Sequence, residues 1–569
     1  MLKRTIKTQK ESTKKETTKL SLQEQLARKR QAKENQKKLI TVSSSAIAAG
    51  LVIGLPIALL AKPVYGLITA LVIPILILSF FYPRAALWMF LIYIPFNGTI
   101  TYWVSGENPI LQVSKDIFYL PALLGLIFEC VRDKKPILVP RKLMPTLAFL
   151  LFYCLLVLFV VNLSRETLPF CDTLTEKFLP NPQGGLPIRV PCKEGSPFLQ
   201  GLLGLKVLMG YIPLIFCAYY FVDSKQKLLN IGRLLVILAI ICCSLALVQY
   251  WLLYTGRCIG TRGMMGEDLF QAQIASRCFI GGAVLFSPEY NQIRLPGTFA
   301  SPWHWGWFLV ANSAICFASA FSEKAFWWKI TGLAGLALVF INAIICGQRL
   351  SFLLVPIIIV VLLILTGQLK QFKQLIVIGV ILVIFLSIGF SFFNSEFIQQ
   401  RVDSFVGRWN QSPPQEFIVK QVNFALSNQR GILGNGLGRG TSSARVFGPI
   451  SFLETFHSKL IFELGMIGFI IYMIFLTHLL ILAFLSYRSI RDPSLRSFAS
   501  SFWIFLVIIS YLPYWYPLDT DPVGIYYWFF AGIIFKLPII DKQEQQLKEN
   551  PPLTLAETLK IKRKKLSWA

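Results

Sequence analysis

Apolar residues run along this chain in blocks of about 20, separated by short polar breaks, from residue 40 almost to residue 540. A helix of about that length crosses the hydrocarbon core of a bilayer. The pattern predicts spans near 40–61, 64–82, 85–103, 116–131, 143–163, 199–222, 231–254, 304–321, 330–346, 350–366, 375–393, 457–485, 497–516 and 524–540. The third and fourth are the least regular, so the range is 12–14. The predicted fold class is all-α: a polytopic integral membrane protein of about 12–14 transmembrane helices. One large extracytoplasmic loop, 394–456, precedes the last three spans. The predicted organisation is a basic, disordered tail (1–38), a membrane domain (39–540) and a second basic tail (541–569). An amphipathic surface helix within Leu20–Lys38 is the alternative reading of the first tail.

Composition agrees with a membrane chain: 54% of the 569 residues are hydrophobic and 15% charged. The net charge of +27 is not read as nucleic-acid binding. Much of it lies in the tails and in short loops such as Arg132–Lys142, where Lys and Arg mark the inner side. The predicted location is the inner (plasma) membrane, multi-pass, with both termini cytoplasmic. The late start of the first apolar run argues against a cleaved signal peptide. Loops 164–198, 255–303 and 394–456 then face outward. They hold the four loop cysteines, Cys171, Cys192, Cys258 and Cys278. Two local disulfides are expected, although four cysteines allow three connectivities. The other seven cysteines fall in or beside apolar runs and read as small hydrophobes.

Three segments carry candidate chemistry, all on the predicted outer side. The first is Arg294-Leu-Pro-Gly-Thr-Phe-Ala-Ser-Pro-Trp-His304. His304 lies among Trp303, Trp305 and Trp307, which look like an interfacial aromatic belt. The second is the hairpin Cys346-Gly-Gln-Arg349-Leu-Ser351, with an arginine at the membrane edge, where charge is expensive. The third is the long loop, which holds Arg401, Arg408, Arg430, Arg439 and Arg445 but one lysine, Lys420. Arginine forks bind phosphate oxygens in pairs and do not act as bases. The run Leu433-Gly-Asn-Gly-Leu-Gly-Arg439-Gly440 puts glycines at alternate positions. Gly436 and Gly438 could cradle an anion, or simply make turns. His457, near a helix start, could accept a proton, and reads equally as a capping or interfacial histidine. Lys459 and Glu463, four apart, read as a pair on one helix face. His478, deep in a span, reads as packed against a neighbouring helix. The chain shows no phosphate-binding P-loop and no Cys–His zinc pattern, and no metal or cofactor is predicted.

In this order, these elements resemble the O-antigen ligase and O-antigen polymerase superfamily of bacterial envelope glycosyltransferases. Arg294-Leu-Pro-Gly-Thr-Phe is similar to that family's Arg-x-x-Gly-Thr-Phe segment, and Gly347-Gln-Arg349-Leu-Ser351 to its Ser-Arg-Ser/Gly hairpin, with Gln348 in place of the usual Ser or Thr. Arg408 stands where the family's loop arginine does. Gly434-Asn-Gly436-Leu-Gly438 resembles its Gly-x-Gly element. His457 through Gly468 resembles its His-Asn-x-x-Leu-x-x-x-Glu-x-Gly-x-x-Gly signature, with Ser458 in place of Asn. The resemblance implies a metal-independent, inverting glycosyltransferase of cell-surface or extracellular polysaccharide synthesis, either polymerase or ligase. Its donor would be a polyprenyl-diphosphate-linked glycan and its acceptor a glycan or lipid. Membrane lipids and polysaccharide export machinery would be further partners. His457, Arg408 and Arg349 would be catalytic, and Arg294, Arg401, Arg439, Gly436 and Gly438 would bind substrate. The alternative function is a transporter for an inorganic anion such as bicarbonate.

Overall fold

The computed structural model describes residues 22–60, 63–104, 114–164, 169–170, 193–266, 269, 274–287, 292–368, 395–514 and 518–549. The span expected at 375–393, and Cys171 and Cys192, lie outside the described residues. The chain is an all-α polytopic membrane protein. Among the described residues eleven helices are long and apolar enough to cross a bilayer. They coincide with eleven of the expected spans. Two further spans correspond to the 17-residue helices Asp116–Arg132 and Arg349–Leu365.

The chain divides into two compact units. One comprises residues 1–83 and 541–569. Its helices α1 (Leu22–Leu60) and α2 (Pro63–Phe81) pack along each other. Residues 22–38, expected as tail, are the first turns of α1, because Gln, Glu, Ala, Arg and Lys are strong helix formers. The α1–α2 contact is made by small residues. A Cβ on Gly50 would lie 2.6 Å from Ala70 O, and one on Gly54 would lie 2.7 Å from Gly66 O. Small residues let backbones approach where lipid gives helices no hydrophobic reason to associate.

The second unit, residues 84–540, holds the remaining principal helices. In chain order these are α3 (Pro83–Tyr93), α4 (Asp116–Arg132), α5 (Met144–Val157), α6 (Pro197–Met209), α7 (Leu214–Phe221) and α8 (Lys225–Tyr254). Then come α9 (Pro302–Ser322), α10 (Phe326–Ile345), α11 (Arg349–Leu365), α12 (Ser395–Gln411), α13 (Pro414–Asn428), α14 (Phe456–Ser489), α15 (Pro493–Tyr511) and α16 (Val523–Glu549), of which residues 541–549 belong to the first unit. The core sits around α9, which is almost wholly enclosed by α8, α10, α11 and α15. Trp305 and Trp307 are therefore core residues with 0% and 1% exposure, not an interfacial belt. The apolar run around them faces neighbouring helices instead of headgroups. The seven cysteines of the apolar runs are buried free thiols, as expected.

The ends of the bundle are tied by charge. Arg233 on α8 grips Glu323, with Nε–Oε1 at 2.7 Å and Nη2–Oε2 at 2.9 Å. Lys225 Nζ reaches both oxygens of Asp492 at 2.9 and 2.8 Å. The same carboxylate caps α15 by accepting from Ser494 N and Leu495 N. Losing a cap costs about 1 kcal/mol, and stranding a half-buried lysine costs more. Asp492→Ala is expected to lower stability by about 2 kcal/mol or more. Asp492→Asn, which keeps the cap, is expected to lose less. Thermal unfolding in detergent measures the difference.

The long loops expected to face outward are built structures among their described residues. Cys258 and Cys278 form a disulfide, which is one of the two local pairs expected. The segment it begins leads into an antiparallel hairpin of β-strands, Leu285–Ser287 paired with Gln292–Arg294. Segment 394–456 holds α12, α13 and the tightly tied glycine run.

Candidate functional site at the arginine hairpin and the broken helix

The hairpin between α10 and α11 is the first anchor. Gly347 turns it at φ +71°, and a Cβ there would lie 2.6 Å from Ile293 O. Leu295 N donates to Cys346 O at 3.1 Å, so the strand bearing Arg294 lies against the hairpin. Arg294 faces Gln348. With the amide oxygen turned toward the guanidinium, Nη2 and Nε donate at 3.3 and 3.2 Å.

Helix α12 brings the other arginines. Arg408 Nη1 donates to Gly347 O at 3.2 Å, and its Nε donates to Ser404 O at 3.2 Å. Ser404 Oγ in turn donates to Gln292 Oε1 at 2.6 Å. Arg349 Nη1 donates to Arg408 O at 2.6 Å, and its Nη2 reaches Tyr514 OH at 3.3 Å. Arg294, Arg349 and Arg408 are thus brought together from three separate segments. Arg294 and Arg349 form no ion pair among the described residues. Burial, and then the like charge of Arg349, push the Arg294 pKa down to about 10. A guanidinium depressed in this way is stabilised by any anion that joins it.

A carboxylate looks toward this cluster. Glu454 lies just before α14, and its backbone N donates to Gln421 Oε1 on α13. Burial among its neighbours raises its pKa, while the charge of Arg294 pulls the other way.

The second anchor is a break in α14. Gly465 takes φ +71° and ψ 175°, which ends the upper half-helix, 456–464, before the lower half begins. The carbonyls freed by the break accept from the glycine run: Asn435 N donates to Phe462 O at 2.8 Å and Gly436 N to Glu463 O at 3.0 Å. Leu437 N donates to Asn162 Oδ1 at 2.9 Å, and Asn162 Nδ2 donates to Leu437 O at 3.0 Å. Gly440 N and Thr441 Oγ1 both donate to Glu463 Oε1, at 2.7 and 3.0 Å. The structure gives Gly436 and Gly438, at φ +93° and +84°, a packing role. A side chain at 436 would press on Asn162, and one at 438 would run into Gln200 O. The amides of 435–437 and 440 that an anion would need are engaged by the protein.

The half-helix carries the expected residues to new partners. Lys459 Nζ pairs with Asp519 Oδ2 at 2.6 Å rather than with Glu463, which instead binds the glycine run. The His457 ring is buried between Phe456 and Phe469, and its Nδ1 has no partner among the described residues. No hydrogen bond among the described residues joins His457 to the arginines. Arg439 Nη1 donates to Pro449 O at 2.9 Å beside a shallow surface recess that Gln200 and Gly448 also line. Arg401 lies on α12, two turns before Arg408. His304 bonds Ser301, and His478 Nδ1 meets Thr146 Oγ1 of α5 at 2.9 Å, which fits its expected packing against a neighbour.

Sequence reading missed Asn162, Gln200, Glu454, Tyr514 and the Asp519–Asp521 segment. A lone Asn or Gln inside an apolar run was the available signal for the first two. For the last it was Asp-Thr-Asp between two spans in a chain with only 29 acids.

No curated protein is similar to the chain at a significant level. A family model described as cell cycle protein, that of FtsW, RodA and SpoVE, matches residues 308–516, somewhat over a third of the chain. The matched stretch runs from α9 to the end of α15 and contains Arg349, Arg408 and His457. It covers most of the segments that seemed to resemble the O-antigen ligase and polymerase superfamily, and so corrects that resemblance. The O-antigen-type polymerase or ligase function and the anion-transporter alternative are corrected with it. The physical reason is that an arginine hairpin, a large arginine-bearing loop and a glycine-rich run before a helix are general features. Their order alone did not separate one envelope family from another. What this chain is similar to, over residues 308–516, is the FtsW/RodA/SpoVE family of cell cycle proteins.

Proposed function

We propose that this protein works in cell-wall glycan assembly, as a peptidoglycan-type glycosyltransferase that takes a polyprenyl-linked saccharide at its outer face. The similarity over residues 308–516 supports the class of process. The observation that carries the reading is the cluster of Arg294, Arg349 and Arg408, built from three segments around Gly347. Arg349 and Arg408 use part of their donors on backbone carbonyls, which fixes them as positive groups. Arg294, oriented by Gln348, presents its fork to a phosphate oxygen. Charge that grows on a phosphate leaving group is stabilised by donors already in place. In this reading the termini face the cytoplasm, which puts the cluster outside, and Arg439 adds positive charge along the loop. A translocase for the same lipid is the second reading, favoured by the buried charges of the half-helix.

The acceptor hydroxyl must lose a proton as it attacks. Glu454 and His457 are the two candidates. Glu454 lies in the field of Arg294 and is partly open, whereas His457 Nδ1 is enclosed. A carboxylate accepts a proton only when ionised, so the rate should fall as pH drops through the raised Glu454 pKa. Glu454→Gln is expected to reduce turnover and to abolish that acid limb. If the limb survives in Glu454→Gln and vanishes in His457→Gln, the base is His457.

The test of the function is the purified chain in proteoliposomes with a polyprenyl-diphosphate-linked cell-wall precursor. Polymer should form, and Arg294→Ala should slow its formation at least about tenfold. Translocation of the lipid without polymer would establish the second reading, and neither event would overturn both.

A further inference from the structure

The segment between α15 and α16 places two carboxylates two residues apart, and each takes a lysine from a different part of the chain. Asp519 pairs with Lys459 on the upper half of α14, with side-chain exposures of 10% and 3%. Asp521 pairs with Lys115, just before α4. Lys115 is followed by Asp116, whose Oδ2 pairs with Lys206 of α6 at 2.6 Å and whose Oδ1 accepts from Tyr211 OH at 3.0 Å. Lys115 and Lys206 both lie over the Tyr211 ring, at 5.6 and 5.3 Å. Charged groups this enclosed are expensive unless paired.

Three more observations locate what the pairing does. The upper half of α14 is set off from its lower half by the non-helical backbone at Gly465, so the two halves do not form one continuous rod. Every residue from Phe456 to Gly465 is buried, so a small displacement disturbs many contacts. Asp519 Oδ1 has no hydrogen-bond partner among the described residues, which leaves Lys459 as the main hold on that carboxylate.

We propose that Asp519-Thr520-Asp521 is a two-armed ionic strap. One arm holds the half-helix 456–464 through Lys459, and the other holds the start of α4 through Lys115. Asp519 is thereby a positioning residue for His457 and for Glu454, which leads into the same half-helix. The glycine run holds the half-helix from the other side, through Glu463 and the carbonyls of Phe462 and Glu463. The strap sets where that half-helix stands; it does not touch substrate. Its consequence for turnover rests on the function proposed above. Its structural claim does not.

The experiment uses the full chain in detergent with Ser458→Cys, a small change at a site with 0% exposure. A bulky maleimide reports exposure, corrected for the same protein lacking that cysteine. Ser458→Cys should be unreactive when the strap is intact. With Asp519→Asn added, labelling should speed up at least about tenfold, which corresponds to about 1.4 kcal/mol of lost hold. Asp521→Asn should instead expose Ser114→Cys and leave Ser458→Cys protected, because the arms are separate. Asp519→Glu should restore much of the protection. Unchanged protection of Ser458→Cys in folded Asp519→Asn overturns the strap.

If Asp519→Asn does not fold, the charge-free pair Lys459→Met with Asp519→Leu takes its place. It should fold, since removing both charges leaves no stranded ion. Labelled Ser458→Cys then supports the strap, and protected Ser458→Cys overturns it. The two claims fail separately. Asp519→Asn with lost glycan transfer and protected Ser458→Cys defeats the strap alone. Exposed Ser458→Cys with full transfer keeps the strap and defeats the assignment of the half-helix to the site.

Discussion

Gly465→Ala is expected to remove most folded protein from the membrane. The residue sits at φ +71° and ψ 175°, a region essentially reserved for glycine, and strain there costs on the order of 1–3 kcal/mol. An added Cβ would also run into Ile432 O and lie 3.0 Å from Gly434 N. The glycine run cannot yield easily, because Asn435 N and Gly436 N are bonded to the carbonyls that the break frees. Together these place the loss on the order of 3–5 kcal/mol, a large share of the usual stability of a fold. Gly367→Ala is the control. It also has a positive φ, +69°, but nothing lies within 4 Å of its Cβ, so a side chain there meets no collision. Thermal unfolding in detergent should show Gly465→Ala far below Gly367→Ala. Equal midpoints would mean that the glycine run does not brace the break.

Arg294→Lys is expected to lower the rate of glycan transfer about 10–100-fold, with little change in stability. The guanidinium is aimed by two contacts to Gln348, at 3.3 and 3.2 Å, and its plane sets the direction of its remaining donors. Lysine carries the charge without the plane. A hydrogen bond to a charged group contributes about 1.5–3 kcal/mol, which is the size of the expected loss. Arg294→Ala should lose as much or more, although relief of like charge with Arg349 offsets part of it. The check is kcat/KM for the polyprenyl-linked donor in each variant. Full activity in Arg294→Ala would remove the cluster from the site.

How much of this could be read in the sequence differs between levels. Helices were legible because runs of 20 apolar residues have one solution in a bilayer. The Cys258–Cys278 pair was legible from compartment and spacing. Arg294, Arg349 and Arg408 were legible as unusual charges, but their meeting was not, since it depends on strand 292–294 lying against the hairpin. The glycine run was read for its freedom of φ, which is real. Its amides turn out to be taken by carbonyls that only a broken helix supplies. Lys459 and Glu463 matched the spacing of a helical pair, yet each has a better partner from a distant segment. Spacing reports what can meet on one helix, and burial then decides by adding partners from others. The family was misread because the features compared were those that several envelope families share.

The break at Gly465 also decides where this chain can be cut. By apolar length, α14 looks like one transmembrane unit, and a chimera would ordinarily be joined at its ends. Its first nine residues nonetheless belong with the long loops, through Asn435, Gly436, Thr441 and Asp519, and its remainder belongs with the bundle. A graft of this loop cap onto a related scaffold should therefore be spliced inside the helix, between Gly465 and Met466. A splice before Phe456 would leave the transplanted cap without the segment on which it is assembled.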